Sequence, residues 1–192
     1  MLDVLLYNYA VEVIIDEITE FYYCTDNINN AKEVFNNKLK NFNNVTGKMI
    51  ISTDWHLKPS NIEEITELQR QELNVAEDNG ITDHVWLGDI FDSRISQRQD
   101  VLNAFSSILD MYARMGHTVY CIPGNHDKSD YSSDRSFLDA FKYHKGFKLI
   151  TDLDAFEIGG VICYFMPFFD NAIWLKGMGD VLKEKNHKTH VL

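Results

Sequence analysis

Three short segments hold side chains able to bind metal ions and handle a phosphate. They are Thr53-Asp54-Trp55-His56, Gly88-Asp89-Ile90-Phe91-Asp92 and Pro123-Gly124-Asn125-His126-Asp127. Carboxylate and amide oxygens mixed with imidazole nitrogens lie between the all-oxygen sites of calcium and the thiolate sites of zinc, and suit divalent ions of the manganese, iron and zinc kind. Asp54 and His56, two apart on an extended loop, point the same way and can share one ion. Asp89 has two oxygens and can bridge two ions, and Asn125 offers a neutral oxygen to the second. Two such cations about 3.5–4 Å apart clamp a phosphate, activate a water and offset charge at the phosphorus in an in-line displacement. Taken singly, an Asp-x-His is usually a surface turn, and a Gly-Asp-x-x-Asp is usually a helix N-cap with an acidic first turn. Their order, with 35 residues from Asp54 to Asp89 and 36 from Asp89 to Asn125, marks the three as one constellation.

Each segment follows a predicted strand, at 49–53, 84–87 and 118–122. The strands alternate with predicted helices. Ser60 and Glu63 form a capping-box pattern opening a helix that runs to residue 79 with Gly80 beyond it, and a second helix covers 97–115 with Gly116 as its stop. In open α/β sheets the carboxyl ends of neighbouring strands meet at one crevice, where ligands bind. Three loops there would gather Asp54, His56, Asp89, Asn125 and His126. Further on, a helix is expected near 134–143, strands at 147–150, 155–158 and 161–165, and a last helix at 171–185. Gly159-Gly160 reads as a hairpin turn. The pattern is that of a layered α/β domain with a mixed β-sheet flanked by helices. Residues 1–46 differ: they are rich in asparagine and hold no glycine or proline. Val4, Tyr7, Val11, Ile14, Ile15, Ile18 and Tyr22 recur at threes and fours, which predicts a helical N-terminal extension. A second short helix is expected at 32–42 and a linker at 43–47. The division is thus an extension, 1–46, and a main domain, 47–192.

The chain has 192 residues, 45% of them hydrophobic and 24% charged, which is the composition of a globular protein. No run of eighteen apolar residues exists, and the stretch 2–23 is broken by Asp3, Asn8, Glu12, Asp16, Glu17 and Glu20, so neither a membrane span nor a signal peptide is expected. Cys24, Cys121 and Cys163 are far apart, which argues against a disulfide framework and for a reducing interior, with Cys121 packed in a strand. The net charge of −11 and the lack of a lysine–arginine cluster argue against tight non-specific duplex binding by the chain alone. Bound divalent cations would neutralise part of that charge. His84, His117 and His144 flank strands or end a helix and are expected at the surface. Arg94 and Arg98 could reach a phosphate or lie at a solvated helix start.

In order and spacing the three segments resemble the calcineurin-like metallophosphoesterase superfamily. Within it, residues 48–170 are most similar to SbcD-type nuclease subunits and the recombination-endonuclease subunits of large phages. The similar features are Ser52-Thr53-Asp54-Trp55-His56-Leu57, Leu87-Gly88-Asp89-Ile90-Phe91-Asp92, Ile122-Pro123-Gly124-Asn125-His126-Asp127 and Met166-Pro167-Phe168. The resemblance implies that Asp54 and His56 hold the first metal, Asp89 bridges and Asn125 holds the second. It gives His126 the catalytic place beside the phosphate, makes Asp127 the residue that orients His126, and has Asp92 support the loop. It implies two divalent ions, manganese first, with iron, zinc or magnesium as alternatives. The implied partners are DNA, an SMC-like ATPase subunit and a second copy of the chain, in the cytoplasm of a bacterial or phage-infected cell. Relatives of this type supply further ligands from a later Gly-His and Gly-x-His, neither of which occurs after Asp127, so the site is expected to be incomplete as given. The resemblance also leaves residues 1–47 uncovered. Metal-dependent DNA cleavage is therefore the leading expectation. A phosphatase or other phosphodiesterase is the second, although protein phosphatases of the superfamily have Arg-Gly after the second Asp and end the third motif in Glu, where Ser93-Arg94 and Asp127 stand here. An inactive binding module is the third.

Overall fold

The computed structural model describes residues 9–15, 18–24, 48–131, 133, 135–159, 161–168 and 189–191. Ile50–Ser52 (β3), Asp83–Trp86 (β4), Thr118–Cys121 (β5) and Phe147–Leu149 (β6) lie side by side and parallel. Ile62–Asn79 (α1) links β3 to β4, and Gln99–Met115 (α2) links β4 to β5. Both helices end at the expected glycines, Gly80 and Gly116. Strands covered on both faces read as continuous apolar runs, which is why β3 to β5 were legible as strands without polar alternation.

Side-chain alternation sorts these strands between two cores. Trp86, Val119 and Cys121 face α1 and α2, where Ile65, Leu73, Phe105, Ile108 and Tyr112 close over them. Val85, Tyr120 and Ile122 face the other way, onto Ile158, Cys163 and Phe165. Those residues belong to a second sheet, in which Asp154–Ile158 (β7) and Val161–Phe165 (β8) form an antiparallel hairpin and Thr189–Val191 (β9) runs parallel to β8. With Tyr9–Ile15 as β1 and Ile18–Cys24 as β2, the architecture is three layers: helices, a mixed six-stranded sheet ordered β2-β1-β3-β4-β5-β6, and a three-stranded sheet. The late hairpin founds its own sheet. No helix among the described residues is long and apolar enough to cross a membrane.

The expected helix at the start of the chain is corrected. Tyr9–Ile15 (β1) and Ile18–Cys24 (β2) are strands paired antiparallel, and β1 pairs with β3 through Val11↔Ser52 and Glu12↔Ile51. The apolar residues at threes and fours are mostly β-branched or aromatic, types that suit a pleated surface better than a helix. They find a partner in the open side of β3. The expected helices at 32–42 and 171–185 lie outside the described residues. Two further corrections are local. Helix α1 begins at Ile62 with Asn61 at its N-cap, so the Ser60 capping box does not form. The helix expected at 134–143 shrinks to a 3-10 turn at Phe137–Phe141 (η1).

His84 and His117, expected at the surface, are buried at 0% and 2% exposure. His84 Nε2 lies 2.8 Å from His117 Nδ1, His84 Nδ1 lies 2.8 Å from Glu72 Oε1, and His117 Nε2 lies 2.7 Å from Glu77 Oε1. The Tyr112 hydroxyl lies 2.7 Å from Gln69 Oε1 and 3.0 Å from Glu72 Oε1. This chain fixes α1 and α2 to the amino ends of β4 and β5. Buried polar groups need such partners, and here α1 supplies them from Gln69, Glu72 and Glu77.

Candidate metal centre

The three loops leave the carboxyl ends of β3, β4 and β5 and stay bonded to one another. Asp54 N donates to Gly88 O (3.2 Å), His56 N to Asp89 O (3.0 Å), and Leu57 N to Ile90 O (2.8 Å), so the first loop continues the pairing of its strand along the second. Trp55 and Leu57 alternate with Asp54 and His56 and are buried at 6% and 1% exposure. The Trp55 ring meets Trp86 edge-on with centroids 4.4 Å apart. Two core anchors thus hold two polar side chains on the opposite side. The Asn61 side chain, instead of capping α1, donates from Nδ2 to His56 O (3.1 Å) and accepts from Lys58 N (2.8 Å).

The second and third loops touch backbone to backbone. A Cβ on Gly88 would lie 2.3 Å from Gly124 N, and one on Gly124 would lie 2.2 Å from Asp89 Oδ1. Gly88 also has φ of 87°, so it serves both the turn and the contact, whereas Gly124 is required by closeness alone. A side chain at Gly88 would displace the backbone of the third loop, and one at Gly124 would displace Asp89.

Asp54, His56 and Asp89 have φ of 58°, 45° and 51°, and are the non-glycine residues with positive φ among those described. A left-handed backbone costs of order 1–3 kcal/mol at each such residue. The same three residues bring ligand atoms within 4.8 Å of one another. Strain collected at three residues of one cluster is the mark of a functional constraint. His56 Nε2 stands 3.6 Å from Asp54 Oδ1, Thr53 Oγ1 donates to Asp54 Oδ2 (2.9 Å), and His126 N donates to Asp89 Oδ1 (2.9 Å). Asn125 reaches the same place: with its amide nitrogen turned to Asp89 (3.1 and 3.3 Å to the two oxygens), its oxygen accepts from Arg94 Nη2 at 2.5 Å. Two carboxylates, an imidazole and an adjacent carboxamide are a donor set that fits a divalent cation, with Asp54, His56, Asp89 and Asn125 as the residues that would hold it.

His126 is brought to this cluster, its ring edge-on to His56 with centroids 4.6 Å apart. Its Nδ1 lies 2.9 Å from Asp92 O and its Nε2 lies 2.9 Å from Arg94 Nη2. The orienting contact is therefore the Asp92 carbonyl, not Asp127. Asp127 is fully buried and accepts from Phe91 N (3.0 Å) and Gly124 N (2.9 Å), which ties the second loop to the third. Burial pushes its carboxyl up to about 6, against the pull of those backbone N–H groups. The Asp127 assignment is corrected accordingly: its neighbour in sequence points outward to the site while Asp127 turns inward to the backbone. Asp92 does support the loops, since its carboxylate takes Lys58 Nζ (3.1 Å) and its N–H donates to Leu57 O (3.2 Å). Phe168 N donates to Pro123 O (3.2 Å), so Met166-Pro167-Phe168 braces the third loop.

The sequence left Arg94 and Arg98 undivided, and the structure separates them. Arg98 pairs with Asp100 through Nε (3.1 Å) and Nη2 (3.0 Å) at the start of α2. Arg94 reaches Asn125, His126 and the hydroxyl of Tyr131. Its place two residues after Asp92, in the same loop, was the available signal. Tyr131 carried none.

A solved structure, that of Pseudomonas putida nuclease MPE, aligns with 53% of this chain and 46% of its own length, at 15% sequence identity and a TM-score of 0.37. This chain therefore matches less than half of that protein. The search of curated proteins returned no match. The family model of the calcineurin-like phosphoesterases matches residues 47–190, a span that includes all three loops of the cluster. The chain belongs to the calcineurin-like phosphoesterase family.

Proposed function

We propose that this domain hydrolyses phosphodiester bonds of DNA using two divalent ions, as the nuclease subunit of an SbcD-type recombination and repair assembly. The observation that carries the reading is the gathering of Asp54, His56 and Asp89 ligand atoms within 4.8 Å on three left-handed residues. Their carboxylates repel one another, and a cation compensates that repulsion. In this reading Asp54 and His56 hold the first ion, Asp89 is shared, and the Asn125 oxygen turns to the second. Manganese is the proposed ion, with iron, zinc and magnesium as alternatives that the same donors admit. When bound, the ions supply Lewis-acid polarisation and charge compensation at the phosphate. His126 protonates the leaving oxygen or steadies charge at the phosphorus, with its ring aimed by the Asp92 carbonyl. Asp127 acts through the loops it ties. The branch within the family is supported by Trp55-His56-Leu57, Ile90-Phe91-Asp92 and Met166-Pro167-Phe168, and by Ser93-Arg94 standing where protein phosphatases have Arg-Gly. A chain of net charge −11 gains from a partner that grips DNA, and the proposed partners are an SMC-like ATPase and a second copy, in the cytoplasm of a bacterial or phage-infected cell. The test is hydrolysis by the full-length protein with manganese, comparing linear DNA with p-nitrophenyl phosphate. DNA cleavage that EDTA abolishes is expected. Monoester turnover without DNA cleavage would replace the nuclease reading with a phosphatase.

A further inference from the structure

Arg94 is bonded at the reacting end of the site. Its Nη2 lies 2.9 Å from His126 Nε2 and, with the Asn125 amide nitrogen turned to Asp89, 2.5 Å from the Asn125 oxygen, and its Nη1 donates to the Tyr131 hydroxyl. A guanidinium carries donors only. His126 Nε2 is therefore an acceptor here, and its ring hydrogen sits on Nδ1 and is donated to Asp92 O at 2.9 Å. The ring nitrogen that faces the cluster is thus covered by Arg94. Neutral acceptors are the weaker partners for a guanidinium, whose planar fork matches two oxygens of a phosphate. The other cations on these loops are held elsewhere. Lys58 bonds Asp92 (3.1 Å), and Lys128 Nζ donates to Ser133 O (3.2 Å) and Phe168 O (2.9 Å). Arg94 is exposed, so it can change partner without opening the core.

We propose that Arg94 is the residue that takes hold of the substrate phosphate, and that His126 Nε2 is its resting partner. On binding, the guanidinium passes from His126 and Asn125 to non-bridging phosphate oxygens. The same movement uncovers His126 Nε2, which then takes up a proton from solvent that it can pass to the leaving oxygen, and frees the Asn125 oxygen to turn toward a metal. One side chain then couples the arrival of an anion to the readiness of both third-loop residues. The inference rests on the phosphoesterase reading of the cluster.

The test uses the whole chain loaded with zinc, with inorganic phosphate as the probe. Titration calorimetry should show Arg94→Ala weakening phosphate binding roughly tenfold or more, as expected for a lost charge-assisted contact. Arg94→Lys should recover part of it, and Arg98→Ala should match the wild type. Zinc uptake should be the same in all four proteins. In imidazole ¹⁵N spectra, phosphate should shift the His126 Nε2 signal of the wild type. In Arg94→Ala that signal should already be displaced before phosphate is added. Equal phosphate affinity in Arg94→Ala and wild type would overturn the proposal, as would an unmoved His126 signal. Wild-type protein that takes up zinc but no phosphate would overturn the phosphoesterase reading as well.

Discussion

Asp54 and Asp89 bring oxygens to the His56 imidazole, while Asp127 turns inward to the backbone N–H groups of Phe91 and Gly124. The two kinds of carboxylate should answer substitution differently. If Asp89 is shared between ions, Asp89→Ala should lose more bound manganese than Asp54→Ala or Asn125→Ala in calorimetric titration. Equal losses in the three would rule out a shared ligand. His126→Gln should retain manganese and lose turnover by about 10²–10⁴-fold, the contribution of a general acid. A parallel loss of manganese would make His126 a ligand. Asp127→Ala orphans two N–H groups beside a buried carboxylate position, at roughly 1–3 kcal/mol each in denaturant unfolding. Its pH dependence follows from a carboxyl raised from 3.8 to about 6 in the folded protein. The neutral form is favoured on folding, so this group's contribution is fully present below pH 3.8 and is lost as pH rises through 6. Metal-free Asp127→Asn should therefore gain on the wild type as pH rises across that window. An unchanged difference between the two would refute the assigned burial effect.

At the scale of elements, the residues that hold the centre were legible where chemistry and spacing coincided, and illegible where only a neighbour decides. Asp54, His56, Asp89, Asn125 and His126 are side chains with few other reasons to recur after strands, and the structure brings all five together. The part Gly124 plays was not legible, because closeness to Asp89 is a fact of the third dimension. His84 and His117 were read as exposed for the same reason: the carboxylates that satisfy them come from α1, up to 40 residues away. Residues 9–24 failed differently. A run of β-branched and aromatic residues supports either period, and the vacancy beside β3 settles it. Gly124→Ala tests the close approach. Its Cβ would fall 2.2 Å from Asp89 Oδ1 and 2.4 Å from Asp89 N. Manganese affinity should fall at least about tenfold, about 1.4 kcal/mol by the standard conversion, with an unchanged far-ultraviolet circular dichroism spectrum. Normal affinity would mean that the two loops separate easily and that their contact does not set the ligand geometry.

At the scale of the whole molecule, the domain boundary expected near residue 47 meets a sheet that crosses it. The β1–β2 hairpin extends the six-stranded sheet, and Val11 and Glu12 pair with Ser52 and Ile51 of β3, the strand that delivers Asp54 and His56. Among the residues whose side chains are described, from 48 onward, two apolar clusters form. One centres on Trp86 and Phe105 beneath the helices, the other on Tyr120 and Phe165 between the sheets. The contacts described across the boundary are backbone pairing. Removing residues 1–46 should leave a folded domain with a single cooperative thermal transition at a lower temperature. It should also leave β3 as an open sheet edge whose unpaired N–H and C=O groups invite other chains. Aggregation that rises with concentration is the expected cost, and manganese affinity should weaken because the first loop loses the partner of its strand. Differential scanning calorimetry with light scattering would follow both effects. Loss of the cooperative transition would show that the hairpin is part of the folding unit and that the boundary does not exist.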